Sequence, residues 1–199
     1  HGHIGNVVER GVLCFVLGFG FFGWIAFFPG VFGFFRPEIF WGLALLGTGA
    51  TAIGLHRFRD ALTRPDVSWI ELLLLVALAL VLAMDVLEGV SPPGDADTLS
   101  YHYALPRDFL AAGRIEFVPR AVSGAIPLLL HMTYAAALAT GGELALTMWG
   151  MLTGWVTGLL LYVVARRYAS RVWALALAIV FLTTPATLYG GGNGHAEIR

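Results

Sequence analysis

The stretch Trp69-Ile70-Glu71-Leu72-Leu73-Leu74-Leu75-Val76-Ala77-Leu78-Ala79-Leu80-Val81-Leu82-Ala83-Met84-Asp85-Val86-Leu87 has a carboxylate near each end and only apolar side chains between them. A helix that crosses hydrocarbon needs about 20 predominantly apolar residues. It also satisfies its own backbone hydrogen bonds, which lipid cannot do for it. This stretch meets both conditions, so the rest of the chain is read as a membrane protein. Toward the N-terminus, Phe40 to Leu55 is a second apolar run, opened by Trp41, and Gly11 to Phe35 is a third, interrupted by Pro29-Gly30. Toward the C-terminus, polar sequence runs from Ser91 to about Arg120. Ala125 to Ala139 is apolar but short, and Glu143 to Ala165 and Val172 to Tyr189 are long.

Composition agrees. The 199 residues are 58% hydrophobic and 13% charged, whereas about a quarter of a soluble domain is charged. One water-soluble core of this length could not hide so much apolar surface. The expected fold is all-α: a single polytopic membrane domain over residues 1–199. Its five spans are 11–35, 40–55, 69–87, 143–165 and 172–189, with interfacial helices in an outer loop over 90–142. The net charge of −1 implies no surface for nucleic acid. All twelve cations are Arg, a bias read as genomic. The single Cys14 excludes an internal disulfide and reads as a small hydrophobe. The chain runs from His1 to Arg199, and either end is compatible with a processing boundary. The first apolar run has no evident small-residue cleavage site and reads as a retained span.

Arginine placement orients the spans, because cytoplasmic loops collect Arg. The Arg-rich connectors are Arg57, Arg59 and Arg64, then Arg166, Arg167 and Arg171. Both fall on one face if Ala125–Ala139 lies along the outer interface or dips in and returns. The N-terminus is then inside, and the 90–142 loop and the tail after Gly190 are outside. Trp41, Trp69 and Trp173 mark span ends. Gly150, Gly154 and Gly158 recur every four residues, a small-residue stripe that admits another helix closely. Packing within the chain is the preferred reading, with a contact between chains as the alternative.

The residues able to carry chemistry gather in the outer loop. Asp85, Glu88, Asp95 and Asp97 follow one another toward Thr98-Leu99-Ser100-Tyr101-His102. Acids at membrane depth usually face a cavity or a partner, and desolvation raises a carboxylate's pKa toward that of a useful base. Against this, Asp97 is well placed to cap a helix starting near Thr98, and Asp85 and Glu88 could simply be solvated. Residues 103–114 have amphipathic helical spacing, with Phe109 and Leu110 toward the membrane and Gly113 as C-cap. Arg107 and Arg114, two turns apart, suit either a lipid phosphate or ordinary interfacial anchoring. His131 reads as a packing histidine. In the tail, His195 and Glu197 could join Asp95, Asp97 and His102 around a divalent metal, although the spacing follows no known ligand pattern.

The run Asp97-Thr98-Leu99-Ser100-Tyr101-His102-Tyr103-Ala104-Leu105-Pro106-Arg107, continuing through Gly113-Arg114-Ile115, resembles the first outer loop of bacterial GT-C membrane glycosyltransferases, relatives of protein mannosyltransferases. Pro127 to Gly142, Tyr162 to Arg167, Ala174 to Leu182 and Thr184-Pro185 look like the steps that follow there, so the similarity covers about Leu72 to Arg199. The resemblance implies a polyprenyl-phosphate sugar donor and inverting transfer to an outer-face acceptor. It gives Asp97 the role of base with Asp95 close behind, and it places Tyr101, His102, Arg107, Arg114 and Glu197 around the substrates. Members of that family run much longer, so the 199 residues alone are expected to be inactive. The alternative is a non-catalytic subunit of a larger membrane assembly, photosynthetic or respiratory for example, built on a shortened copy of that scaffold.

Overall fold

A computed structural model describes residues 2–58, 66–92, 94–119 and 129–191. Every regular element among them is helical: α1 (Gly2–Val31), α2 (Pro37–Phe58), α3 (Trp69–Gly89), a π-helical turn (Thr98–His102), α4 (Ala104–Ala112), α5 (Leu129–Ala165), α6 (Arg171–Leu182) and α7 (Pro185–Gly191). Three of the helices contain stretches long and apolar enough to cross a membrane: Val8–Val31, Trp69–Gly89 and Leu129–Ala165. Their exposed faces are lined by large hydrophobic side chains, among them Leu17, Phe21, Leu72, Leu73, Leu80 and Leu87, as expected of helices whose solvent is lipid. The protein is therefore an all-helical integral membrane protein.

The other two expected spans are shorter or less apolar. Helix α2 has the length, but Gly42, Gly47, Thr48, Gly49, Thr51 and Gly54 dilute its apolar character. The run 172–189 is divided. Helix α6 stops at Leu182, and α7 restarts at Pro185, because a proline cannot continue the helical hydrogen bonding but is favoured in a first turn.

Local chemistry accounts for most boundaries. Ser68 and Glu71 form a reciprocal capping box at the start of α3, which satisfies two otherwise unpaired backbone donors. Gly113 closes α4 in the left-handed conformation, φ 68°, as its position in the sequence suggests. Pro29 stays within α1, two residues from its end, and Gly33 (φ 79°) turns the chain toward α2.

Helix α5 is two helices joined at Gly142, whose φ of 72° and ψ of −164° are not helical. That backbone region is essentially reserved for glycine. The halves fold back on each other, so Trp149 Nε1 donates to Thr133 Oγ1 at 2.9 Å across the bend. Residues 129–141 pack Met132, Ala135 and Ala136 against Ala26, Phe35, Phe40, Leu105 and Phe109. Phe35 meets Phe40 edge-on, 5.0 Å between ring centroids, a contact typically contributing about 0.5–1.5 kcal/mol beyond area burial. Phe109 is thus 1% exposed in this core and does not rest on the membrane.

The ends of the helices are distinguished by charge. Arg171 pairs with Glu71 at 3.2 Å and donates to the Asp66 carbonyl at 3.0 Å. Arg167 pairs with Glu9. The start of α1, the entry to α3 and the α5–α6 connector therefore share one end. Arg59 and Arg64 lie outside the described residues. At the opposite end the 113–115 segment is hydrogen-bonded to the exit of α1: Phe35 N donates to Gly113 O, and Ile115 N to Gly30 O, both at 2.9 Å. A β-carbon on Gly30 would come within 2.5 Å of the Ile115 side chain, which would have to shift to admit it. Of the glycine stripe, Gly150 is buried and Gly158 faces Leu182, while a β-carbon on Gly154 would meet nothing within 4 Å.

Candidate functional site

The short stretch between α3 and α4 holds the acidic loop, and its two aspartates have separate tasks. Asp95 Oδ2 accepts the Thr98 backbone N–H at 2.9 Å, and Asp95 Oδ1 accepts the Tyr189 phenol at 3.1 Å. The helix start is thus capped by Asp95, not by Asp97. Asp97 is exposed and makes no side-chain capping bond. Of the pair, Asp97 is left exposed at the surface, and Asp95 is built into the fold.

The turn that begins after Asp97 is a π-helix, closed by a bond from Tyr103 N to Thr98 O at 2.9 Å. Such wide turns are rare and frequently occur at functional sites. Its inward side is fastened at several points. Thr98 and His102 are fully buried. His102 Nδ1 lies 3.0 Å from Nε2 of His131, which is also fully buried. The Thr147 hydroxyl donates to the Glu143 carbonyl at 3.0 Å, which leaves its oxygen to accept the Tyr103 phenol at 2.8 Å. Leu99 and Ser100 are exposed on the outward side, and Tyr101 is half-buried with its ring 4.0 Å from that of His102. The result is an exposed acid on a platform anchored to both halves of α5.

Two arginines of this end are held by carboxylates. Arg107, on α4, pairs with Glu143 just after the Gly142 bend. Arg114 pairs with Glu116 at 3.0 Å. All four side chains are well exposed, and exposed pairs of this kind are worth only about 0–1 kcal/mol. A phosphate able to bond an arginine bidentately could displace either carboxylate. Deeper in the bundle, Asp85 is 4% exposed and accepts the Trp155 indole N–H at 2.8 Å, which links α3 to α5 and shows that this acid is not simply solvated.

His195 and Glu197 lie outside the described residues. Among the described residues no three histidine, cysteine or acidic side chains are grouped as a metal would require. Asp95 and Asp97 precede the turn that carries Tyr101 and His102, and Arg107 follows on α4. Three partners were not foreseen from sequence: His131 for His102, Glu143 for Arg107, and Tyr189 for Asp95. Each is distant along the chain, and only the tyrosine and histidine content of the loop hinted at an ordered polar network. No protein-family model, curated protein or solved structure matches the chain.

Proposed function

We propose that this chain is a GT-C-like membrane glycosyltransferase module, which transfers a sugar from a polyprenyl-phosphate donor to an acceptor at the outer face of a bacterial inner membrane. In this reading the protein crosses the bilayer five times. Helix α2 and the α6–α7 pair supply the two crossings beyond the three long apolar helices, and the N-terminus is cytoplasmic. The observation that carries the reading is the division of labour between Asp95 and Asp97. One acid holds the turn in shape, and its neighbour is presented, exposed, at the end of the bundle opposite the α5–α6 arginines.

The chemistry follows from that arrangement. Asp97 accepts the proton of the acceptor hydroxyl as its oxygen attacks the anomeric carbon. The bond from that carbon to the phosphate oxygen breaks on the opposite side, so the configuration inverts. Arg107, released from Glu143, or Arg114 offsets the charge that develops on the departing phosphate. Tyr101, half-buried, lines the approach, with the fully buried His102 packed against its ring.

The test is sugar transfer from a polyprenyl-phosphate donor in proteoliposomes. Asp97→Asn keeps the size and polarity of the side chain but removes the base. It is expected to lower the rate by at least about 100-fold with helical content and expression unchanged. Full transfer by Asp97→Asn would remove Asp97 from the mechanism.

A further inference from the structure

The connector between α5 and α6, Arg166-Arg167-Tyr168-Ala169-Ser170-Arg171, lies at the end of the molecule opposite the acidic turn. Its three arginines are not equivalent. Arg167 pairs with Glu9, and Arg171 with Glu71. Arg166 donates from Nη1 to the Ala169 carbonyl at 2.7 Å, and no carboxylate among the described residues pairs with it. A carbonyl does not neutralise a cation. It does hold one nitrogen of the guanidinium in place, which leaves the other N–H donors of a rigid fork that matches two phosphate oxygens. The connector entering α3 adds Arg57, Arg59 and Arg64 against Asp60 by sequence.

Aromatic side chains mark the same end. Trp149 and Trp155 spend their indole N–H groups inside the bundle. Trp69, Tyr168 and Trp173 stand out from it instead, 72%, 86% and 71% exposed. Trp69 opens α3 and Trp173 lies in the first turn of α6, two helices whose entries Arg171 ties together through Glu71. A large ring with a polar tip is most stable where hydrocarbon meets headgroups, which puts this end at the level of lipid phosphates. From Trp173 an exposed apolar stripe continues along α6 through Leu177 and Val180, four and seven residues on and so on one helix face. A free phosphate makes no use of that stripe, whereas a phospholipid lays its acyl chains on it.

We propose that the α5–α6 connector binds the headgroup of an anionic phospholipid. Arg166 takes the phosphate bidentately, Tyr168 and Trp173 offer a hydroxyl and an indole N–H at the same level, and the acyl chains run along Leu177 and Val180. Basic sites at the ends of membrane helices recognise anionic headgroups in this way. The site is separate from the acidic turn and does not depend on sugar transfer.

The experiment titrates the full chain, in neutral detergent micelles, with phosphatidylglycerol or phosphatidylcholine and reads the Kd of the first bound lipid by native mass spectrometry. Phosphatidylglycerol should bind the parent at least about fivefold more tightly than phosphatidylcholine, the worth of one arginine facing an anionic headgroup. Arg166→Gln should abolish that preference. Arg10 is also exposed at this end, beside Glu9, but stands on α1 away from the connector, so Arg10→Gln removes the same charge and should change the preference by less than about twofold. Arg166→Lys keeps the charge but not the fork and should weaken phosphatidylglycerol binding by about twofold or more. It also decides the matter if Arg166→Gln does not fold. Inorganic phosphate at the concentration of the lipid should not displace it. Equal binding of the two lipids by the parent, equal losses in Arg166→Gln and Arg10→Gln, parent-like binding by Arg166→Lys, or displacement by inorganic phosphate would each overturn the proposal.

Discussion

The burial of single polar residues decides most of what this protein can do. Asp85 is nearly inaccessible in the upper part of α3, and the Trp155 indole N–H satisfies one of its oxygens. Removing that donor while keeping an aromatic ring leaves a buried acceptor short of a partner. Trp155→Phe should therefore cost about 1–3 kcal/mol, measured as a shift in the denaturant midpoint of detergent-solubilised protein. At this scale the sequence is only partly legible. The gathering of acids before Thr98 is evident from composition, but which aspartate caps and which stays exposed depends on two bonds, from Thr98 N and the Tyr189 phenol, that spacing does not reveal. His131 illustrates the same limit. Its apolar neighbours mark it as buried, yet its partner lies in another element whose approach depends on the Gly142 bend.

The elements themselves were easier to read. A continuous apolar run has few alternatives in a bilayer, so α3 lies where the leucines place it, and Glu71 marks its start through the capping box. Breaks were harder where they depend on one residue inside an apolar run. The tract 172–189 is apolar in composition, but Pro185 divides it into α6 and α7. The bend in α5 falls at Gly142, just before the span expected from Glu143, and folds 129–141 back onto it. The bend's dependence on glycine can be checked. Gly142→Ala places a β-carbon on a backbone with φ 72° and ψ −164° and should cost about 1–3 kcal/mol. Gly154→Ala, at a helical site with no atom within 4 Å, should be neutral or slightly stabilising. Comparison of the two variants' denaturant midpoints isolates the bend from the general effect of adding a methyl group.

The whole molecule is polar along its length: one end holds the Arg167–Glu9 and Arg171–Glu71 pairs, and the other the acidic turn, α4 and the Gly142 bend. The five-crossing topology, the outer-face site and the proposed transfer all depend on these ends lying on opposite sides of a membrane. The most direct measurement is labelling of single cysteines by a membrane-impermeant maleimide in intact cells, in a Cys14→Ser background. Ser100→Cys should react at once, and Arg166→Cys only after the membrane is permeabilised. Reaction of Arg166→Cys in intact cells would contradict the account.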